Sequence, residues 1–155
     1  MKVGIIVHSH TGNTLSVAEK MKETLLAAGH TVNLERVEAV NEDPNEAMKT
    51  ELKTAPDITG YDAYVFGAPI RAFSLSPVML KYLKQVSSMD GKKASCFVTQ
   101  QFPFAWMGGN RGVKQMKNAC LTKGAEILDI GVVNWSSKKR EDMITDVVSR
   151  LCKLS

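Results

Sequence analysis

Apolar positions along this chain fall into short unbroken runs, separated by longer segments in which they recur every three or four residues. The run "KVGIIV" over 2–7 and "AYVFG" over 63–67 are of the first kind, and 31–35, 94–98 and 126–130 are β-rich in the same way. Runs of this length predict strands. In the intervening segment 14–28, Leu15, Ala18, Met21, Leu25 and Leu26 fall on one helical face, and Gly29 follows as a C-terminal cap. Helices are also predicted over 76–87, 110–123 and 140–152. Ser76 opens the first of these as N-cap with Pro77 in the first helical position, and Gly124 closes the second. The polar stretch 43–53, with Met48 and Leu52 four apart, is read as a further helix.

Strands that alternate with helices, and are continuously apolar instead of alternating, predict a parallel sheet covered on both faces. The fold class is therefore α/β, a three-layer doubly wound sandwich with a five-stranded parallel sheet in a single domain over 1–155. Such sheets bind ligands beyond the carboxyl ends of their strands. The segments to inspect are 8–14, 36–42, 68–75, 99–109 and 131–139.

Composition narrows the function classes. With 155 residues and 44% hydrophobic positions the chain can build one core, and no apolar run approaches the ~20 residues of a membrane span. The first strand begins directly after Met1, which predicts a cytoplasmic protein without a signal peptide. Cys96, Cys120 and Cys152 lack CxxC spacing and read as buried structural thiols. The net charge of +4 is a mild lean, and without aromatics interleaved on a basic face it does not point to nucleic acid.

The candidate chemistry starts at 9–14, which reads Ser9, His10, Thr11, Gly12, Asn13, Thr14 where a strand becomes a helix. A helix start offers unpaired N–H groups and a partial positive charge, hydroxyl and amide side chains add donors, and glycine lets the backbone turn closely about a ligand. These residues serve equally as an anion cradle or as a helix cap on Thr11 or Thr14 with a polar turn before it. No lysine or arginine stands in the stretch, so an anion there is to be bound by neutral donors. His8 and His10 read as loop lining, not as a metal pair, because no third ligand is visible.

The spacing Ser/Thr, x, Thr, Gly, x, Thr after a first strand resembles the phosphate loop of the flavodoxin family, and the resemblance runs over essentially the whole chain. It implies a sheet order of 2-1-3-4-5, the cofactor flavin mononucleotide (FMN), and a cradle for its phosphate at 9–14. Competing phosphate sites fit less well: there is no GxxxxGK[ST] and no GxGxxG, and neither Cys96 nor Cys120 has the arginine six residues on that a low-molecular-weight tyrosine phosphatase requires. The absence of a long insertion in the fifth strand makes the chain similar to the short-chain form.

Two more loops carry the resemblance. In Gly67, Ala68, Pro69, Ile70, Arg71, the stretch is similar to the family's Gly-x-Pro loop, whose backbone amides meet the ring edge. Arg71 stands where an aromatic is common and Phe73 where a glycine often permits the peptide flip that favours the one-electron-reduced flavin. In "TQQFPFAWMGGN", Thr99, Gln100 and Gln101 can bond the pyrimidine edge, Phe102, Phe104 or Trp106 can stack on the ring, and Gly108 resembles the family's glycine before the fourth helix. A hydrophobic loop folded on the core, or a dimer contact, is the alternative. Trp135 is assigned to packing.

The resemblance implies an electron carrier between redox partner proteins, with no catalytic side chain of its own. The alternative is a small NAD(P)H-dependent reductase acting on a quinone-like acceptor. Two features favour the alternative, since carriers of this family are acidic whereas this chain is basic, and Arg71 beside the ring would favour a fully reduced, anionic flavin; against it, no nicotinamide site or second domain is identifiable, so the carrier is the expected function. A flavin-free domain of the same fold is the third class.

Overall fold

The computed structural model describes residues 1–43, 49 and 51–154. Five parallel strands form its centre: β1 (Lys2–Val7), β2 (Thr31–Arg36), β5 (Ala63–Arg71), β7 (Lys93–Gln100) and β8 (Glu126–Asn134), in the order β2-β1-β5-β7-β8. In chain order of the five this is 2-1-3-4-5, as the sequence implies. The helices are α1 (Asn13–Ala27), α2 (Pro77–Gln85), α3 (Gly109–Thr122) and α4 (Arg140–Leu151).

Two cores flank the sheet. Ile6, Tyr64, Phe66, Cys96 and Val98 face α2 and α3, whereas Ile5, Val7, Val65 and Phe97 face α1 and α4. Burial on both sides explains why the strands read as unbroken apolar runs, each large side chain contributing about 1.5–3 kcal/mol on removal from water. The buried face of α1 is Thr14, Val17, Ala18, Met21 and Leu25, with Leu26 exposed. That stripe lies one step round from the face read in the sequence, because Leu25 and Leu26 are adjacent and only one can point inward. The local stop and start signals hold: Ser76 accepts the Met79 N–H as N-cap with Pro77 at the first helical position, and Gly29 and Gly124 take positive φ after their helices.

Other expectations are corrected. The helix read over 43–53 falls largely on residues 44–48 and 50, outside the described residues. At its end, Leu52–Thr54 is a strand, β4, antiparallel to β3 (Glu38–Ala39). The segment 68–75 is not an open loop: β5 runs on to Arg71 and turns into β6 (Ser74–Leu75), which pairs with it antiparallel. Such short strands carry no periodicity of their own, so nothing local announces them.

Register sets the ligand end of the sheet. Val7 is level with Arg36 on one side and with Gly67 on the other, and Pro69 is level with Thr99. The ends of β2, β1, β5 and β7 thus stand side by side.

Candidate functional site

The 9–14 stretch leaves β1 buried at Ser9 and emerges at His10, Thr11 and Gly12. Gly12 is the N-cap of α1 in the left-handed region, φ 95°, a conformation that glycine adopts without a steric penalty, and it makes no side-chain cap bond. Among the described residues the backbone N–H groups of His10 to Thr14 have no acceptor. Ser9 Oγ accepts the Leu15 N–H at 3.2 Å, which leaves its own proton free to donate. Thr14 is buried and its hydroxyl meets that of Thr99 at 2.8 Å. Neither threonine caps the helix, so the capping alternative does not account for the stretch. What it presents is a row of unspent donors at the positive end of α1.

One charged group from outside the stretch reaches its backbone. Arg36, the last residue of β2, places Nη2 at 3.2 Å from the Ser9 carbonyl oxygen. The register of β1 against β2 brings it there, not proximity in sequence.

The hairpin from Pro69 to Ser76 forms the next wall, closed by the Ser76 N–H on the Pro69 carbonyl at 3.0 Å. Its two-residue turn is Ala72-Phe73, both at positive φ, 48° and 63°. Mirror-image turns of this kind suit the twist of a hairpin but normally recruit Asn-Gly. The turn is held from outside by Gln115 of α3, whose Oε1 accepts from Ser74 Oγ and the Leu75 N–H, both at 2.8 Å.

The third wall is 99–108. The Gln100 side chain is buried, and its amide nitrogen donates to the Phe104 carbonyl at 2.7 Å and to Asn134 Oδ1 at 2.5 Å. Its Oε1 is buried and has no hydrogen-bond donor among the described residues. Beyond it Phe102 stacks on Phe73 with centroids 5.1 Å apart and planes 4° from parallel, and Phe104 stacks on Trp106 at 6.1 Å and 6°. All four rings are substantially exposed, so the alternative of a loop folded on the core does not hold for them.

A cleft of about 120 Å³ opens between these walls, lined by His10, Thr11, Asn13, Pro69, Ile70, Arg71, Thr99, Gln100 and Gln101. The other expected residues surround it. Ser9, Thr14 and Ala68 are buried, Gly12 turns the backbone beside Thr11, Phe73, Phe102 and Trp106 are exposed rings that do not line the cleft, and Gly108 packs against Phe73. Trp135 packs against the α1/α4 core with the Arg140 guanidinium 5.1 Å from its ring centre. The residues fit a flavin mononucleotide in three respects: free N–H groups for a phosphate, an orphaned buried acceptor at Gln100, and exposed parallel aromatic faces. The cleft is smaller than the about 300–1,000 Å³ that encloses a drug-sized molecule.

Behind the cleft lies a polar chain that sequence reading missed. Ser76 Oγ, already accepting from Met79, stands 2.7 Å from His8 Nδ1, and His8 Nε2 stands 2.9 Å from Glu42 Oε2. These partners assign a neutral imidazole that accepts from Ser76 and donates to Glu42. Burial pushes the His8 pKa down, against the Glu42 carboxylate, which raises it, while Arg71 and His10 add to the lowering. For Glu42, burial works upward but is outweighed by hydrogen bonds from the Ala39 N–H and from His8, and the carboxyl titrates lower than usual. The array joins β1, the β3–β4 segment and the start of α2, and Ser76 is too buried to meet a substrate.

Comparison with known proteins agrees with this geometry. A family model described as a flavodoxin domain matches residues 4–123. The chain is 30% identical over 112 residues to NAD(P)H quinone oxidoreductase PST3 of Candida albicans, covering 63% of this chain and 56% of that protein. It is 33% identical over 111 residues to an NAD(P)H dehydrogenase (quinone) of Cupriavidus metallidurans, again 63% and 56%. The matched region therefore spans little more than half the length of those relatives. Among solved structures, oxidised flavodoxin 1 from Bacillus cereus superposes with a TM-score of 0.67 at 16% identity, covering 100% of both chains. With the family model matching most of its length and the strand order in place, the chain belongs to the flavodoxin family.

Proposed function

We propose that the protein binds FMN in the cleft at the carboxyl ends of β1, β5 and β7 and works as a two-electron reductase with a quinone-like acceptor. The observation that carries the binding is the row of unpartnered N–H groups from His10 to Thr14, with the free proton of Ser9 beside it. When bound, the flavin supplies the redox chemistry. The chain's own residues at the start of α1 would hold the phosphate, and Gln100 with the hairpin would hold the ring.

Arg71 supports the two-electron reading. It lines the cleft, and a cation there stabilises negative charge gained by the ligand. The tip of its hairpin also has no glycine to flip. The names of the Candida and Cupriavidus relatives point the same way. A one-electron carrier is the second reading, favoured by the end-to-end correspondence with a flavodoxin.

The experiment is reconstitution with FMN followed by NADH or NADPH oxidation in the presence of a water-soluble benzoquinone. Sustained turnover is expected. Reduction only by a partner reductase, without quinone-dependent turnover, selects the carrier, and failure to take up FMN removes both.

A further inference from the structure

We propose that Arg36 selects the phosphorylated form of the flavin, its guanidinium standing on the Ser9 carbonyl as the positive charge at the mouth of the 9–14 cradle. This rests on the FMN reading above. Arg36 ends the edge strand β2, level with Val7 of β1, and donates from Nη2 to Ser9 O at 3.2 Å. That bond uses one of the five N–H donors of a guanidinium, and among the described residues Arg36 stands in no ion pair. Among the described residues the charge of this exposed arginine is thus matched only by a neutral carbonyl. That carbonyl and the His10 N–H, the first of the unspent donors, belong to one trans peptide and point to opposite sides of it, so Arg36 acts on the loop's ligand as a nearby charge.

Two further observations show that a ligand is expected here. Ser9, nine-tenths buried, has a hydroxyl proton without an acceptor among the described residues. Gln100, also nine-tenths buried and lining the same cleft, has an Oε1 without a donor among the described residues. A phosphate monoester is a dianion near neutral pH, so a cation within several ångströms raises its affinity and leaves an uncharged ligand unaffected. Arginine suits the task because its fork can hold the loop carbonyl with one N–H and keep four donors for phosphate oxygens.

The test compares FMN with riboflavin, which has the same ring and chain but no phosphate, by fluorescence quenching on the apoprotein at low and high salt. Wild type should prefer FMN, and the preference should shrink with salt. Arg36→Gln should lower FMN affinity about tenfold, leave riboflavin affinity unchanged and flatten the salt dependence. Arg36→Lys should recover most of the loss, since it restores the charge without the fork. Equal losses for both ligands would show that Arg36 only braces the loop, and no change for either would show that it is idle; each overturns the proposal. Wild type that ignores FMN altogether would instead refute the FMN reading itself.

Discussion

Gly108 and Phe73 are in backbone contact: a Cβ built on Gly108 would lie 2.7 Å from Phe73 Cα, and Gly108 itself has φ 111°. The loop after β7 therefore braces the turn after β5 with no side chain between them. Gly108→Ala would strain the backbone and push on the hairpin at once, at a cost of about 2–4 kcal/mol. Urea unfolding should show that loss, and flavin binding should weaken with it.

The same contact bears on the Ala72-Phe73 turn, where two L-residues sit in the left-handed region. Such strain persists where neighbours over-determine it. Ala72→Asn should raise stability by about 0.5–1 kcal/mol, since asparagine tolerates that region. A lower thermal midpoint would mean that the turn is not under backbone strain.

His8 gives stability a pH dependence. Its folded pKa lies below the ordinary 6.5, so the unfolded chain binds the proton first as pH falls. The contribution of neutral His8 is complete above about pH 6.5 and shrinks as pH drops towards the folded value. Glu42, also lowered, adds a second loss below its ordinary 4.5. Groups facing His8 are Glu42, Arg71 and His10. Denaturation between pH 7.5 and 5 should show falling stability, and His8→Gln should be less stable at neutral pH but flatter across that window.

Arg71 is half exposed, which screens its charge. In the flavin-loaded protein, Arg71→Ala should lower the potential of the second electron by about 20–40 mV. Spectroelectrochemical titration measures this, and an unchanged potential would detach Arg71 from the ring.

The thiols should be inert in the native state. Cys96 and Cys120 are fully buried with sulfurs 4.0 Å apart, and their mutual hydrogen bond together with burial pushes the Cys96 pKa well up. Burial raises Cys152 to about 11. Alkylation at pH 8 should be slow for all three and become fast in urea. Rapid native labelling of Cys96 would imply an opening of the α3 layer.

The sequence by itself determined the elements whose signals are local. The central strands β1, β5 and β7 are apolar runs because both faces of a parallel sheet are covered there, and the stops and starts at Gly29, Ser76-Pro77 and Gly124 are set by backbone freedom and capping within a turn of the helix. The row of free donors at 9–14 was legible for the same reason: strand end, glycine and helix start are contiguous in the chain.

Tertiary structure alone decided the rest. Arg36 reaches Ser9 across 27 residues through strand register, and His8 meets Glu42 and Ser76 across 34 and 68. Nothing in a local window encodes such pairs, because they exist only once two strand ends are level. The short strands β3, β4 and β6 form by pairing, not by propensity. The Ala72-Phe73 turn shows the limit most clearly: its residues argue against the conformation they adopt, and the packing of Gly108 and Gln115 around them overrides that local preference.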